Sequence, residues 1–341
     1  MEISRHQLGK ALQYGIGLAT LGWLLSSADW EHVRQLLAGL DPTIVVLLVV
    51  VSIGETFCRF SMWSVLCNAI EPTPFSTAIR TTLITNYINQ LLPSRLSGRS
   101  AAPVVLRHFT GHDWGTVTSI TGVHTALYAV CNGFIALAGL VWFLDAFSPG
   151  LLVVLAGSIG LYLLVGVGSL LAGWRFDALV ALCAPIFSVA SRIGPIDRVL
   201  KRLSEQIPAF SNGVTETFRS LLGEPGVIAR YVGGWVGSRM VFPALRVWLL
   251  LSVFGEPFSP VALSVVLVTA YSVTLLPLTP GGIGVAEASA TLVFVALGVP
   301  QGVIAPVIVA DRFLGVYLPS LAGWIPLSRL NLSAILSDTS Q

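Results

Sequence analysis

From Val261 to Leu297 the chain is apolar, yet this run is interrupted by Leu275-Leu276-Pro277-Leu278-Thr279-Pro280-Gly281-Gly282-Ile283-Gly284-Val285-Ala286-Glu287. Proline removes a backbone donor and clashes with the preceding helical turn, and each glycine costs about 1 kcal/mol in a helix relative to alanine. A helix entering from Val261 should therefore break near Pro277, and a second should start after Gly284. A broken backbone at membrane depth survives only where protein or a water-filled cavity satisfies the freed N–H and C=O groups. The stretch predicts two half-helices meeting at a polar point, with Glu287 in the first turn of the second and Pro277, Pro280, Gly281, Gly282 and Gly284 as hinge positions.

Composition makes the membrane setting secure. The 341-residue chain is 54% hydrophobic and only 11% charged, with a mean hydropathy of +0.81. Soluble domains carry about 25% charged residues. Cys58, Cys67, Cys131 and Cys183 show no CxxC spacing, and three of them lie in apolar runs, as buried small hydrophobes do. Full spans are expected at about 8–27, 43–67, 115–144, 150–173, 228–254 and 301–325. No small-residue cleavage site follows the first of these, which is expected to be retained. Two interrupted regions, 76–110 and 261–297, are expected as re-entrant helix hairpins. The fold class is thus an all-α polytopic membrane protein with about six full spans plus two re-entrant hairpins.

The two interrupted regions echo each other. Tyr87-Ile88-Asn89-Gln90-Leu91-Leu92-Pro93 and Tyr271-Ser272-Val273-Thr274-Leu275-Leu276-Pro277 share Tyr-x-x-x-Leu-Leu-Pro, and Glu71-Pro72 and Glu256-Pro257 precede them at nearly equal distances. After Pro93 come Arg95, Gly98 and Arg99. Three full spans separate the regions, so the second copy would enter from the opposite face, which predicts an inverted-topology repeat with discontinuous helices near the midplane. The chain then reads as a single transmembrane domain, 1–341, with one half over about 8–144 and the other over about 150–325. A polar insert at about 174–227 would contribute a cytoplasmic amphipathic segment; a plain connecting loop is the other reading. The distribution of Arg and Lys places both termini in the cytoplasm of a cell-membrane protein.

Charged groups at membrane depth are costly, so they face the protein interior with a partner or a function. Glu55 and Arg59 are four apart on one helical face, in the favourable order, and one reading is a structural pair. Arg239 and Arg246 are seven apart on a span with no acid, so their anion must come from elsewhere: Glu287, Asp311 or a ligand phosphate. Asp311 and Arg312 are adjacent and point in different directions. Arg95 and Arg99 occupy the first broken turn, and guanidinium groups bind phosphate through paired donors. His124, alone on an apolar span, reads as a core histidine. Arg80 is a further charge at expected membrane depth. No HExxH, GxSxG or P-loop motif occurs, and Gly281-Gly282-Ile283-Gly284 lacks the strand–turn–helix setting of a dinucleotide site. Catalytic residues, metal ligands and cofactors are accordingly not expected, nor is nucleic acid.

Pro280-Gly281-Gly282-Ile283-Gly284-Val285-Ala286-Glu287 resembles the Pro-Gly-Gly-x-Gly-x-x-Glu signature of the membrane region of lysylphosphatidylglycerol synthase/flippase proteins, and the resemblance spans about 8–330. The first-half signature of that family, Leu-Pro-Gly-Arg-x-Gly-acid, is met in part: Pro93 and Arg95 agree, Ser94 and Ser97 replace glycines, and Gly98 stands where the acid is expected. The resemblance implies lipid translocation without the soluble aminoacyl-transferase domain that synthase members carry. The expected substrate is a phosphate-bearing phospholipid or polyprenyl-phosphate lipid, with Arg95, Arg99, Arg239 and Arg246 at the headgroup and Glu287 balancing their charge. Glu55, Arg59, Asp311 and Arg312 complete the candidate substrate-binding set. Two alternatives stay open: a membrane-embedded transferase on polyprenyl-phosphate lipids, and a non-catalytic membrane subunit of a separate glycosyltransferase or aminoacyl-transferase.

Overall fold

The computed structural model describes residues 41–91, 101–176, 213–276 and 278–329. The expected first span at 8–27, most of the 174–227 insert, Cys183, and Pro93, Arg95, Gly98, Arg99 and Pro277 lie outside them. In chain order the helices are α1 (Pro42–Asn68), α2 (Phe75–Leu91), α3 (Ala102–Thr110), α4 (Trp114–Trp142), α5 (Pro149–Trp174), α6 (Pro225–Val253), α7 (Pro260–Tyr271), α8 (Val285–Ala296) and α9 (Gln301–Ser328). A further helical stretch covers 213–223. Five of these, α1, α4, α5, α6 and α9, are long and apolar enough to cross a membrane. The chain among the described residues is all-helical, with these five candidate spans and shorter apolar helices between them.

Helix starts follow from local chemistry. Asp41 accepts from Thr43 N at 2.8 Å ahead of α1, and Asp113 accepts from Gly115 N at 2.8 Å and Thr116 N at 3.1 Å ahead of α4. These caps satisfy donors that a helix leaves open at its first turn. Ser148-Pro149 and Ser259-Pro260 each put a capping serine before a proline in the first turn, where its missing N–H costs nothing.

The first interrupted region is a helix pair, α2 then α3. In the second, α7 ends at Tyr271, a 3-10 turn covers Ser272–Leu275, and a second tight turn covers Pro280–Gly282 before α8 starts. Gly281, Gly282 and Gly284 hold φ of 61°, 74° and 80°, the left-handed region that favours glycine. The turn abuts the end of α2: a Cβ built on Gly281 would lie 2.1 Å from Gln90 Oε1 and 3.2 Å from Gln90 Cα. The C-terminal part of α9 closes on α2 as well, with the Tyr87 and Trp324 rings 6.1 Å apart.

Helix α4 is the centre of the assembly. Half of its most apolar window is enclosed, against 17% for α1. It packs along α5 through Gly166, where an added Cβ would stand 2.7 Å from Val130 N; small residues at such crossings let backbones approach in lipid, where there is no hydrophobic drive between helices. Outward faces are apolar, as with Val46, Ile53 and Phe57 on α1 and Val153, Leu164 and Leu171 on α5.

The buried apolar residues form two clusters. One contains Leu48 and Val51 of α1, Ala136 and Leu140 of α4, and Ala244, Val247 and Leu251 of α6, with residues of α5, α7, α8 and α9. The other contains Met62, Trp63 and Leu66 of α1, Val117, Ile120 and Val123 of α4, and Val227, Tyr231 and Trp235 of α6. On all three helices a polar residue falls between the clusters: Glu55 on α1, Asn132 on α4, Arg239 on α6. A polar layer therefore separates two dry cores.

Candidate functional site

The polar layer is an ion-pair network built from five helices, α1, α6, α7, α8 and α9. Glu55, in α1, binds Arg59 one turn on and Arg246 of α6. Arg246 also donates from Nε to Asp311 Oδ1 at 2.8 Å, and Tyr271 OH donates to Asp311 Oδ2 at 2.8 Å. Arg312 turns the other way from its neighbour Asp311 and donates from Nε to Glu287 Oε1 at 2.8 Å. Glu287 is further bound by Tyr317 OH, and its Oε2 accepts from Gly284 N at 2.7 Å. The Arg312 guanidinium lies over the rings of Tyr271 and Tyr317, 5.5 and 5.3 Å from their centroids. Charges withdrawn from water this deeply persist only when paired and hydrogen-bonded, and each carboxylate here meets at least one guanidinium.

Two π-helical turns place the cations. One, Gly237–Val241, carries Arg239, and the other, Phe313–Tyr317, follows Arg312 directly and carries Tyr317. Such turns insert into α-helices at functional sites. Gly315, in the second, touches the pair behind it: an added Cβ would stand 2.3 Å from Arg246 Nη2 and 3.0 Å from Glu55 Oε2.

Two cavities flank the network. The smaller, about 450 Å³ of empty volume, is bordered by Glu55, Arg246, Asp311, Arg312, Tyr271 and Asn132. The larger, about 770 Å³ including its open part, has Arg59 and Arg239 on one side and Thr82, Thr85, Asn86, Asn89 and Gln90 of α2 on another. Arg59, Arg239 and Val316 border both. Arg239 binds Tyr128 OH and lies over its ring at 5.1 Å. Among the described residues the buried carboxylates Glu55, Glu287 and Asp311 stand against the guanidiniums Arg59, Arg239, Arg246 and Arg312. That is three negative charges against four positive, and Arg59 and Arg239 are the cations of the larger cavity.

Several residues singled out from the sequence meet in this layer: Glu55, Arg59, Arg239, Arg246, Glu287, Asp311 and Arg312. Glu287 borders neither cavity; it lies fully buried behind Arg312. Arg246 is paired with Glu55 and Asp311. Arg80 is exposed, 5.5 Å from the Phe109 ring centroid. His124 packs as a core residue, stacked on Trp63 at 4.2 Å and 3.1 Å from Tyr231 OH through Nδ1, while bordering the larger cavity. Sequence reasoning missed Tyr128, Tyr271 and Tyr317, and it missed the polar wall of α2. That wall was legible: Thr82, Thr85, Asn86, Asn89 and Gln90 follow the i, i+3, i+4, i+7, i+8 spacing of one helical face.

Comparison with known proteins agrees with the signature at Pro280–Glu287. A UPF0104 membrane protein of Methanothermobacter thermautotrophicus is 22% identical over 316 residues, covering 90% of this chain and 91% of its own. A UPF0104 membrane protein of Methanocaldococcus jannaschii is 28% identical over 124 residues, so the match spans about a third (36%) of each chain. No solved structure matches. The family model described as the lysylphosphatidylglycerol synthase TM region matches residues 10–323, and the chain therefore belongs to that family of membrane proteins.

Proposed function

We propose that this protein is a translocase that carries a phosphate-bearing lipid, a phospholipid or polyprenyl-phosphate conjugate, between membrane leaflets. The observation that carries this reading is the larger cavity, where Arg59 and Arg239 face a wall of amides and hydroxyls among helices with apolar outward faces. Guanidinium groups suit phosphate because their planar donors match its oxygens in pairs. Asn89 and Gln90 on the opposite wall are followed in sequence by Arg95 and Arg99, with no carboxylate among residues 92–100. Lipid movement would be facilitated or driven by an ion gradient, since the sequence carries no nucleotide-binding motif.

The contact of Gln90 with the Gly281 turn supports the inverted-repeat reading, in which two interrupted regions enter from opposite faces and meet at the site. The test is reconstitution: purified protein in liposomes should move fluorescent phospholipid from the inner to the outer leaflet, measured by quenching from outside. The lipid should emerge chemically unchanged. Protein-free and protein-containing liposomes with equal rates would refute translocation, and a chemically altered lipid would point to a transferase instead.

A further inference from the structure

We propose that the larger cavity selects an anionic headgroup whose phosphate is flanked by hydroxyls, a polyol or glycosyl phosphodiester, and excludes cationic aminoacyl headgroups. The inference rests on the translocase reading for its lipid and on three features of the cavity for its chemistry.

Among the described residues no carboxylate borders the cavity, while Arg59 and Arg239 do. Glu55, the acid closest in sequence, is behind Arg59 and is shared with Arg246. The second feature is the aromatic lining. A cation can also be held on ring faces, but here the rings are engaged: His124 stacks on Trp63 at 4.2 Å, and Arg239 lies over Tyr128 at 5.1 Å. An ammonium entering this space would add charge to a network that already carries one positive charge in excess among the described residues.

The third feature is on α2. Asn89 Oδ1 and Gln90 Oε1 are buried and have no hydrogen-bond partner among the described residues; both side chains border the cavity, Gln90 with its Oε1 beside the Gly281 turn. Buried acceptors without donors are rare and costly, so they call for a donor from what enters. A hydroxyl donates to them without bringing charge, whereas an ammonium donates but is repelled by the guanidiniums across the cavity. Phosphate on the arginine side and hydroxyls on the amide side match a headgroup in which the two are adjacent.

The experiment is competition against a fluorescent short-chain phosphatidylglycerol bound to the full chain in detergent, with lipid movement measured in parallel in liposomes. Dihexanoyl phosphatidylglycerol should compete at least tenfold better than its lysyl ester, and Asn89→Asp, which adds a carboxylate of the same shape, should shrink or reverse that ratio. Asn86→Asp serves the same end if the first variant does not fold. Equal or better competition by the lysyl ester in the native protein, or an unchanged ratio in a folded Asp variant, overturns the selectivity. Free glycerol phosphate competing as well as the lipid supports the headgroup chemistry and overturns a lipid as its source. Selective binding without movement in liposomes overturns the translocase reading and supports the selectivity, so the two failures are distinguishable.

Discussion

Arg312 donates from Nε to Glu287 Oε1 at 2.8 Å, which ties the first turn of α8 to the middle of α9 through two fully buried charges. The same carboxylate accepts from Gly284 N at 2.7 Å, so it caps its helix and balances an arginine at once. Glu287→Gln preserves an acceptor for the cap and removes the charge. It should destabilise the protein by about 3–5 kcal/mol, the cost of stranding one partner of a buried pair, and lower lipid movement in liposomes. Adding Arg312→Gln should restore part of the thermal stability, since the stranded charge goes with it. A single variant as stable as the native protein in detergent melts would reduce Glu287 to a helix cap.

The arginines should separate by partner number. Arg246 is held by both Glu55 and Asp311, so Arg246→Gln should be the most destabilising of the set, again by about 3–5 kcal/mol. The sequence alone predicts that Arg59→Gln strands Glu55; the structure corrects this, because Arg246 remains beside Glu55. Arg59→Gln should therefore cost clearly less than Arg246→Gln. Arg239→Gln should abolish most lipid movement, because Arg239 borders the larger cavity. Parallel melts and liposome assays check the order, and equal thermal losses in all three would contradict it.

Gly315→Ala tests the close approach of the α9 π turn to the network. Its Cβ would fall 2.3 Å from Arg246 Nη2, within a pair that has no slack. The methyl group should force Arg246 from Glu55, lowering stability by about 1–3 kcal/mol, as overpacking does, and slowing lipid movement. Gly157→Ala, on α5 with open space around its Cβ position, is the control and should be neutral in both assays.

Asp113, at the membrane-flanking start of α4, provides a pH test. Hydrogen bonds from the Thr116 side chain, above all, and from the Thr116 and Gly115 backbones hold its carboxyl below the usual carboxylate range. A depressed folded-state value means the stabilisation is complete above the unfolded value and is lost as pH falls through the folded one. Asp113→Ala should thus cost about 1 kcal/mol, typical of a lost cap, at neutral pH. That difference should shrink below about pH 4. Melting curves of both proteins across pH would show it, and a difference independent of pH would contradict it.

Much of this molecule is determined by sequence on its own, because the determinants are local. Apolar length places α1, α4, α5, α6 and α9; Pro280 and the glycines at 281, 282 and 284 separate one helix from the next; Asp113 and Ser148 cap their helices within three residues. The Glu55–Arg59 pair is equally local, being one helical turn apart. The polar face of α2 belongs with these, since its spacing was present in the chain although its role was not read from it.

What only the tertiary structure decided is which charge meets which. Glu55 and Arg246 are separated by 191 residues, and Arg246 and Asp311 by 65; no periodicity relates such positions. Their pairing follows from the packing of α1 and α9 against α6, and two π turns rotate Arg239 and Tyr317 to positions that a regular helix would not predict. The same packing put Glu287 behind Arg312 and left Arg59 and Arg239 at the larger cavity. Adjacent residues Asp311 and Arg312 went to different partners because successive side chains on a helix diverge by about 100°. Buried charges must find partners wherever the fold brings them, so their assignment waits on the fold.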